Sequence, residues 1–260
     1  MATLEDMVYM AKEAGADFAK VQTFFADDLS DNWRKEMVTD YDRLKKLELT
    51  FEQQSKFVNM CESVGLMPMT SIYSDKYIEQ LKQCGFGYIK IGSAQCQNSS
   101  LINRVILAGF EVVVSTGGYK LVDLDLQPGA FAYLHCVSKY PTRFIHADMY
   151  RMLHLRDKFA GNFGLSCHID PASSRWDLPG KFAIYSDANI IEKHVTSLPR
   201  DKTKDGPVSL TFPQLKELCD FRDLEKDEVL STYPYFGFFY YEKTPDEVQL
   251  IDKYSYRWGK

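Results

Sequence analysis

Two lysines stand where a folded core would ask for apolar side chains. Lys20 lies in the run DFAKVQTF and Lys90 in GYIKIGS, both strand-like segments. A buried, unpaired ammonium costs several kcal/mol, so two such lysines imply that an anion is expected beside them. Gln22 follows Lys20 by two residues, and a strand points both side chains to the same side. Ser71, Ser115, Ser138 and Ser166 each fall at or just after the C-terminal end of a strand-like segment, while Gly92 and Ser93 directly follow Lys90. Lysines, small hydroxyls and backbone N–H groups are what a phosphate or carboxylate ligand needs. Any one strand-end serine usually satisfies only nearby backbone. The set acquires meaning if a fold brings it to one face.

His168 and His194 occupy equivalent places at the ends of the last two strand-like segments. Adjacent strands lie ~4.8 Å apart, so two imidazoles at equal height can share one metal ion, with water or substrate completing its shell. Taken singly, each histidine more often serves as a hydrogen-bonded structural residue. His135 also falls near a strand end, whereas His146 and His154 fall with a helix.

The elements that must position these groups follow from apolar periodicity. Strands are expected at 17–24, 66–72, 87–93, 111–115, 131–138, 163–166 and 188–195. Helices are expected at 3–15, 50–65, 75–84, 99–107, 147–159 and 213–221. Thr50 and Gln53 have capping-box spacing. The stretch from 25 to 49 reads as a long polar connection, 117–129 has little room for a helix, and 167–187 reads as a Pro- and Gly-interrupted connection. Repeated βα units around one core mean a parallel sheet or barrel. In a (β/α)₈ barrel the C-terminal strand ends form the active face, where the lysines and hydroxyls would converge. Seven strands after an initial helix read as an α/β (β/α)₈ TIM-type barrel missing its first strand. Residues 1–222 form that barrel, and 223–260 an aromatic-rich extension that packs on the barrel or on a partner. An open-sided barrel exposes two strand edges, and residues 234–241 are the candidate within the chain to cover the gap.

The 260 residues are 45% hydrophobic and 26% charged, which excludes a disordered chain and offers no membrane span. Thirty-one Lys and Arg against 36 Asp and Glu give a net charge of −5, which argues against a nucleic-acid partner. Six cysteines without a CxxC pair read as reduced thiols, and the N-terminal residues lack a secretory pattern, so a cytoplasmic location is expected.

The segments KVQTF, LKKLELTFEQQ, YIKIGSAQC, VVVSTGG, LHCVSKYPT, GLSCH and IIEKHVT occur in the order found in N-acetylneuraminate (sialic acid) synthases and related nonulosonic acid synthases, which this chain resembles over residues 3 to 220. The resemblance implies a barrel that condenses phosphoenolpyruvate with an N-acyl hexosamine aldehyde, releases phosphate by C–O cleavage and uses a divalent metal, Mn²⁺ or Mg²⁺. It implies that Lys20 and Gln22 face both substrates. Ser71, Lys90, Ser93, Ser115, Ser138 and Ser166 would hold phosphate and carboxylate, Tyr140 would lie near the sugar, and His168 and His194 would bind the metal. A homo-oligomer is a further possible partner.

Departures from the family pattern fall on the sugar and proton-transfer side. The family glutamate of an E-I-G-x-N-H-type first strand has no counterpart here, so no catalytic residue is assigned and turnover is expected to be slow or absent. Gln95, expected among the substrate-binding residues, stands where an acidic residue commonly follows the strand serine. Cys167 replaces the aspartate of S-D-H-T, and Val208 that of G-P-D. The C-terminal antifreeze-like domain of the family is not represented. Two alternatives to a nonulosonic acid synthase-like enzyme therefore stand. One is a catalytically impaired barrel that retains anion or metal binding as a binding or assembly subunit. The other is an aldolase or a different phosphoenolpyruvate-dependent sugar-acid synthase.

Overall fold

All seven period-two segments form strands: β1 Phe18–Gln22, β2 Met67–Ile72, β3 Tyr88–Ile91, β4 Glu111–Ser115, β5 Ala132–Cys136, β6 Asn162–Cys167 and β7 Ile190–Lys193. The structure, a computed structural model, describes residues 4–36 and 38–224. The strands pair in parallel in the order β1-β2-β3-β4-β5-β6-β7. The helices are α1 Leu4–Glu13, α2 Asp31–Glu36, α3 Val38–Lys45, α4 Phe51–Ser63, α5 Ile78–Gln83, α6 Ser99–Leu107, α7 Met149–Lys158, α8 Leu178–Tyr185 and α9 Phe212–Arg222.

Local chemistry explains most boundaries. At α4 the Thr50 side chain accepts from the Gln53 N–H while Gln53 accepts from the Thr50 N–H, the reciprocal arrangement that satisfies two orphan donors. Thr211 and Gln214 repeat it at α9. Between β4 and β5 there is only a short 3₁₀ turn, Leu121–Asp123, as the chain length there requires.

Two connections hold more structure than their polarity suggests. The stretch after β1 folds into α2 and α3 around a small core of Ala26, Leu29, Trp33 and Leu44, with Trp33 Nε1 donating to Asp40 at 3.1 Å. Of its four core residues only Trp33 lies in α2 and only Leu44 in α3, too few in either helix to show a period. The Pro- and Gly-interrupted connection before β7 contains α8, where Pro179 sits in the first turn and lacks only an N–H that no intrahelical bond needs. The aromatic extension lies outside the described residues.

The sheet curls. Arg222, ending α9, donates to Asp17 at 2.7 Å and to the Gly15 carbonyl at 3.2 Å, joining the last helix to the foot of β1. Gly164 lets β6 lie flush on β7: a Cβ there would meet the Ile190 carbonyl oxygen at 1.9 Å. The structure shows a curled, seven-stranded half-barrel rather than a closed eight-stranded ladder. Among the described residues β1 pairs only with β2, and β7 only with β6.

Inside the curl, Met69, Val113, Ala132 and Leu134 form an apolar layer with Phe18, Tyr88 and Ile190. Two residues further along the same strands the side chains become polar. The larger core lies outside the sheet, where Ile89, Ile91, Val112, Val114 and Tyr133 meet Phe57, Ile102, Val105 and Leu155 of the helices. That core is what holds the strand ends in place.

Candidate active site

The polar layer is built by register. Gln22 lies beside Ser71, and Ser71 beside Lys90. Ser166 lies beside Glu192. Lys20 Nζ donates to Ser71 Oγ at 3.0 Å, Lys90 Nζ donates to Ser115 Oγ at 2.6 Å, and Ser166 Oγ donates to a Glu192 oxygen at 2.9 Å. Lys90 is only 3% exposed and lies 3.6 Å from the Glu192 carboxylate, although β3 and β7 sit on opposite arms of the sheet. The curl therefore closes a charge network that spans β1, β2, β3, β4, β6 and β7.

Glu192 is the centre of that network. Burial would raise its carboxyl pKa, but Lys90, Lys20, His194 and the Ser166 hydroxyl together hold it well below the usual carboxylate range. Burial lowers the Lys20 pKa; Glu192 opposes that shift, and Lys90 adds to it. Lys20 and Lys90 thus flank the Glu192 carboxylate, and the Asp205 carboxylate also acts on Lys20.

A second group lies beside it. His168 is buried, and its Nδ1 lies 3.1 Å from the Val137 carbonyl oxygen. A carbonyl only accepts, so Nδ1 carries the proton and Nε2 keeps its lone pair. Burial brings His168 down to about 4, against the Val137 hydrogen bond. His194 also falls to about 4, through burial and then through His168 and Lys20. Both rings are therefore neutral near pH 7, the form a metal requires. Their centroids are 5.3 Å apart, close enough for metal–nitrogen bonds of ~2.1 Å to reach one ion from both rings. Among the described residues no group of three or more His, Cys, Asp or Glu could hold a metal, so the pair would leave most of a shell open. The Tyr140 ring lies 4.0 Å from His168 and 6.0 Å from His194 and is half-exposed at the rim.

The other candidates are placed as follows. Tyr73 donates to Gln22 Oε1 at 2.7 Å. Ser93 Oγ accepts from the Gly117 N–H at 3.0 Å, and a Cβ on Gly117 would stand 2.1 Å from Ser138 Oγ and 2.9 Å from Ser93 Oγ. Glycine is needed there for the close approach. The Gln95 side chain accepts from Asn98 at 3.0 Å, which ties it to the start of α6. His135 is not brought to the mouth: it faces outward, its Nε2 2.7 Å from the Ala147 carbonyl. Cys167, at the position of the family aspartate, packs behind the sheet with Phe163, Leu165 and Phe182 and accepts from Lys193 at 3.0 Å.

Sequence reasoning missed Glu192 and Asp205. Glu192 stands two residues before His194 and so shares its face, a signal present in IIEKHVT. The carboxylate of Asp205 reaches 3.7 Å from His194 Nδ1, one residue ahead of the Gly206-Pro207-Val208 segment where a carboxylate is missing. No spacing rule brings that loop to β7.

A family model described as the NeuB family matches residues 7–227. The chain belongs to the NeuB family. It is 28% identical over 247 residues to the N,N'-diacetyllegionaminic acid synthase of Legionella pneumophila, covering 85% of this chain and 67% of that protein. To the pseudaminic acid synthase of Campylobacter jejuni it is 26% identical over 228 residues, covering 81% of this chain and 65% of that one. The chain thus spans about two thirds of the length of the curated relatives it matches. In fold it is similar to the N-acetylneuraminic acid synthetase of Leptospira borgpetersenii, with a TM-score of 0.75, 20% identity and coverage of 96% of this chain and 85% of that one. NeuB-family membership agrees with the motif order, and the solved structure agrees with the parallel sheet. No helix among the described residues of this NeuB-family chain is long and apolar enough to cross a membrane.

Proposed function

We propose that this chain is a nonulosonic acid synthase-like enzyme that condenses phosphoenolpyruvate with an N-acyl hexosamine aldehyde. The observation that carries the reading is the Lys20–Lys90–Glu192 network, ringed by Ser71, Ser115 and Ser166, beside the neutral pair His168 and His194. Two buried lysines among strand-end hydroxyls fit the phosphate and carboxylate of phosphoenolpyruvate. In the reaction, C3 of phosphoenolpyruvate bonds to the aldehyde carbon, whose oxygen takes a proton. Water adds at C2, and the bond from C2 to the phosphate oxygen breaks, giving a 2-keto acid and inorganic phosphate. Lys20 and Lys90 hold the anion, the serines orient its oxygens, and Glu192 keeps the lysines in place. Tyr140 flanks the aldehyde side. His168 and His194 would hold a divalent ion, Mn²⁺ or Mg²⁺, which when bound supplies Lewis-acid polarisation of the aldehyde oxygen.

One feature favours the second reading, an anion-binding barrel without turnover. Among the described residues the cavity between β1 and β7 reaches Lys20, Glu192 and His194, which opens one side of the site. Phosphate release measured with Mn²⁺, phosphoenolpyruvate and a panel of N-acyl hexosamines separates the two. Release that needs both metal and sugar supports the synthase. Calorimetric binding of phosphoenolpyruvate with no sugar-dependent release supports the binding barrel.

A further inference from the structure

We propose that Arg151 is a positioning residue of the anion site: it holds the turn 116–119, and through it Ser93, Ser115 and Ser138, where the chain has no helix to do so. The inference rests on the reading of that site as a phosphoenolpyruvate site. In a βα unit the helix that follows a strand packs back on the sheet and fixes the strand's end. Strand β3, for example, passes through the 3₁₀ turn Ser93–Gln95 into α6. The connection from β4 to β5 carries only the 3₁₀ turn Leu121–Asp123.

The residues that leave β4 are nonetheless central to the site. Ser115 Oγ accepts from Lys90 Nζ at 2.6 Å. The strand's own bonds stop at Thr116, whose N–H and Oγ1 both donate to the Leu134 carbonyl, at 3.0 and 3.1 Å. Gly117 then lies flush on the end of β5: a Cβ there would stand 2.1 Å from Ser138 Oγ and 3.1 Å from the Cys136 carbonyl oxygen. Its N–H donates to Ser93 Oγ at 3.0 Å. Gly118 has a φ of +77°, a left-handed conformation that glycine adopts without strain. Two successive glycines leave this segment with much backbone freedom to lose, so something must fix it. A displacement of ~1 Å would move Ser115 and release the contacts to Ser93 and Ser138.

Arg151 of α7 reaches across to this turn. One guanidinium nitrogen donates to the Thr116 carbonyl at 2.6 Å and to the Tyr119 carbonyl at 2.5 Å, and the other donates to the Cys136 carbonyl at 3.4 Å. Both ends of the turn and the end of β5 are thus held by one planar group whose donors form a rigid fork. The fork is itself oriented. His135 is buried, and its Nε2 lies 2.7 Å from the Ala147 carbonyl, which only accepts, so Nε2 carries the proton. Its Nδ1 keeps a lone pair and accepts from Arg151 at 3.3 Å. The Arg151 N–H donates to the side chain of Asp148, the cap of α7. About two turns along the helix, Lys158 donates to the Leu124 carbonyl at 3.1 Å, so α7 holds the connection at two points. His135, which faces away from the mouth, acts on it through Arg151.

Arg151→Lys keeps the charge and loses the fork, and Arg151→Ala loses both. In the full chain, calorimetry should show both variants binding phosphoenolpyruvate and inorganic phosphate at least about tenfold more weakly. The Gly117 amide, slow to exchange in the unchanged protein, should exchange at least ~10-fold faster in each. Guanidinium ion at a non-denaturing concentration should restore affinity to the alanine variant, and ammonium ion should not. Arg222→Ala is the control for a merely structural role, since Arg222 also donates to a carbonyl, that of Gly15 at the foot of β1. It should lower Tm and leave affinity unchanged. Affinity that survives both Arg151 substitutions overturns the proposal. So does free exchange of the Gly117 amide in the unchanged protein, a measurement that needs no variant to fold. Failure of the unchanged protein to bind either anion removes the anion site and this proposal with it, and is seen before any substitution is made.

Discussion

The two layers inside the sheet share strands, curvature and helical support, yet they differ entirely in chemistry. Along β2 the inward side chain changes from Met69 to Ser71, along β4 from Val113 to Ser115, and along β7 from Ile190 to Glu192. The lower layer needs nothing but volume. The upper one needs every donor matched to an acceptor, because a half-satisfied buried network is costlier than an apolar core. One strand thus carries stability and function two residues apart, and substitutions in the two layers should separate them.

The largest effect is expected in the lower layer. Leu134→Ala should destabilise the protein by about 2–5 kcal/mol, since Leu134 is fully buried and its neighbours are fixed by the sheet. Denaturant melts should show this while phosphate affinity of the folded protein stays unchanged. A matching loss of affinity would mean that the layers are coupled. Lys90→Met should do the reverse, weakening phosphoenolpyruvate binding about 100-fold, the scale of one lost charged hydrogen bond and its ion pair. Lys20 and Ser166 still hold Glu192, so Tm should fall less than in the leucine variant. Calorimetric titration beside a melt reads both quantities.

A pH series sharpens the contrast further. In the folded protein His168 and His194 titrate near 4, below the ordinary value of 6.5 for the unfolded chain, so the unfolded state binds protons first. Their contribution to stability is complete above about pH 6.5 and is lost as pH falls toward 4, amounting to about 2 kcal/mol or more. Glu192 adds a second loss below about pH 4.5, because its folded pKa is depressed. Melts from pH 8 to 4 should therefore slope downward below 6.5, and a double His→Gln variant should flatten that limb. The smallest change is Ser166→Ala, which removes one hydrogen bond to a carboxylate still paired with Lys90. A loss of about tenfold in phosphoenolpyruvate affinity is expected, near 1.4 kcal/mol.

Legibility followed locality. The Thr50 capping box, the strand-end serines and the shared face of Lys20 and Gln22 all rest on interactions within a few residues, and each could be read from spacing alone. Helices α2, α3 and α8 could not, because their burial comes from small tertiary clusters rather than from an apolar stripe of their own. His135 and Cys167 sit in sequence like site residues but face the helices, and strand periodicity cannot say which face of a sheet becomes the interior. Glu192 was masked by its neighbours: a carboxylate beside a lysine in IIEKHV reads as a solvated edge until β3 is known to lie opposite.

What the sequence determined by itself is the alternation of strand and helix, the order of the motifs and hence the NeuB family, and the gathering of polar residues at or just after the strand ends. These depend on periods of two and 3.6 residues and on caps that close within one turn. What only the tertiary structure decided is which polar ends meet. Lys90 and Glu192 are far apart in the chain and sit on strands that do not pair, and they touch because seven right-twisted strands curl until the arms face each other. The buried lysine–glutamate network and the neutral histidine pair follow from that curl, which no local pattern encodes.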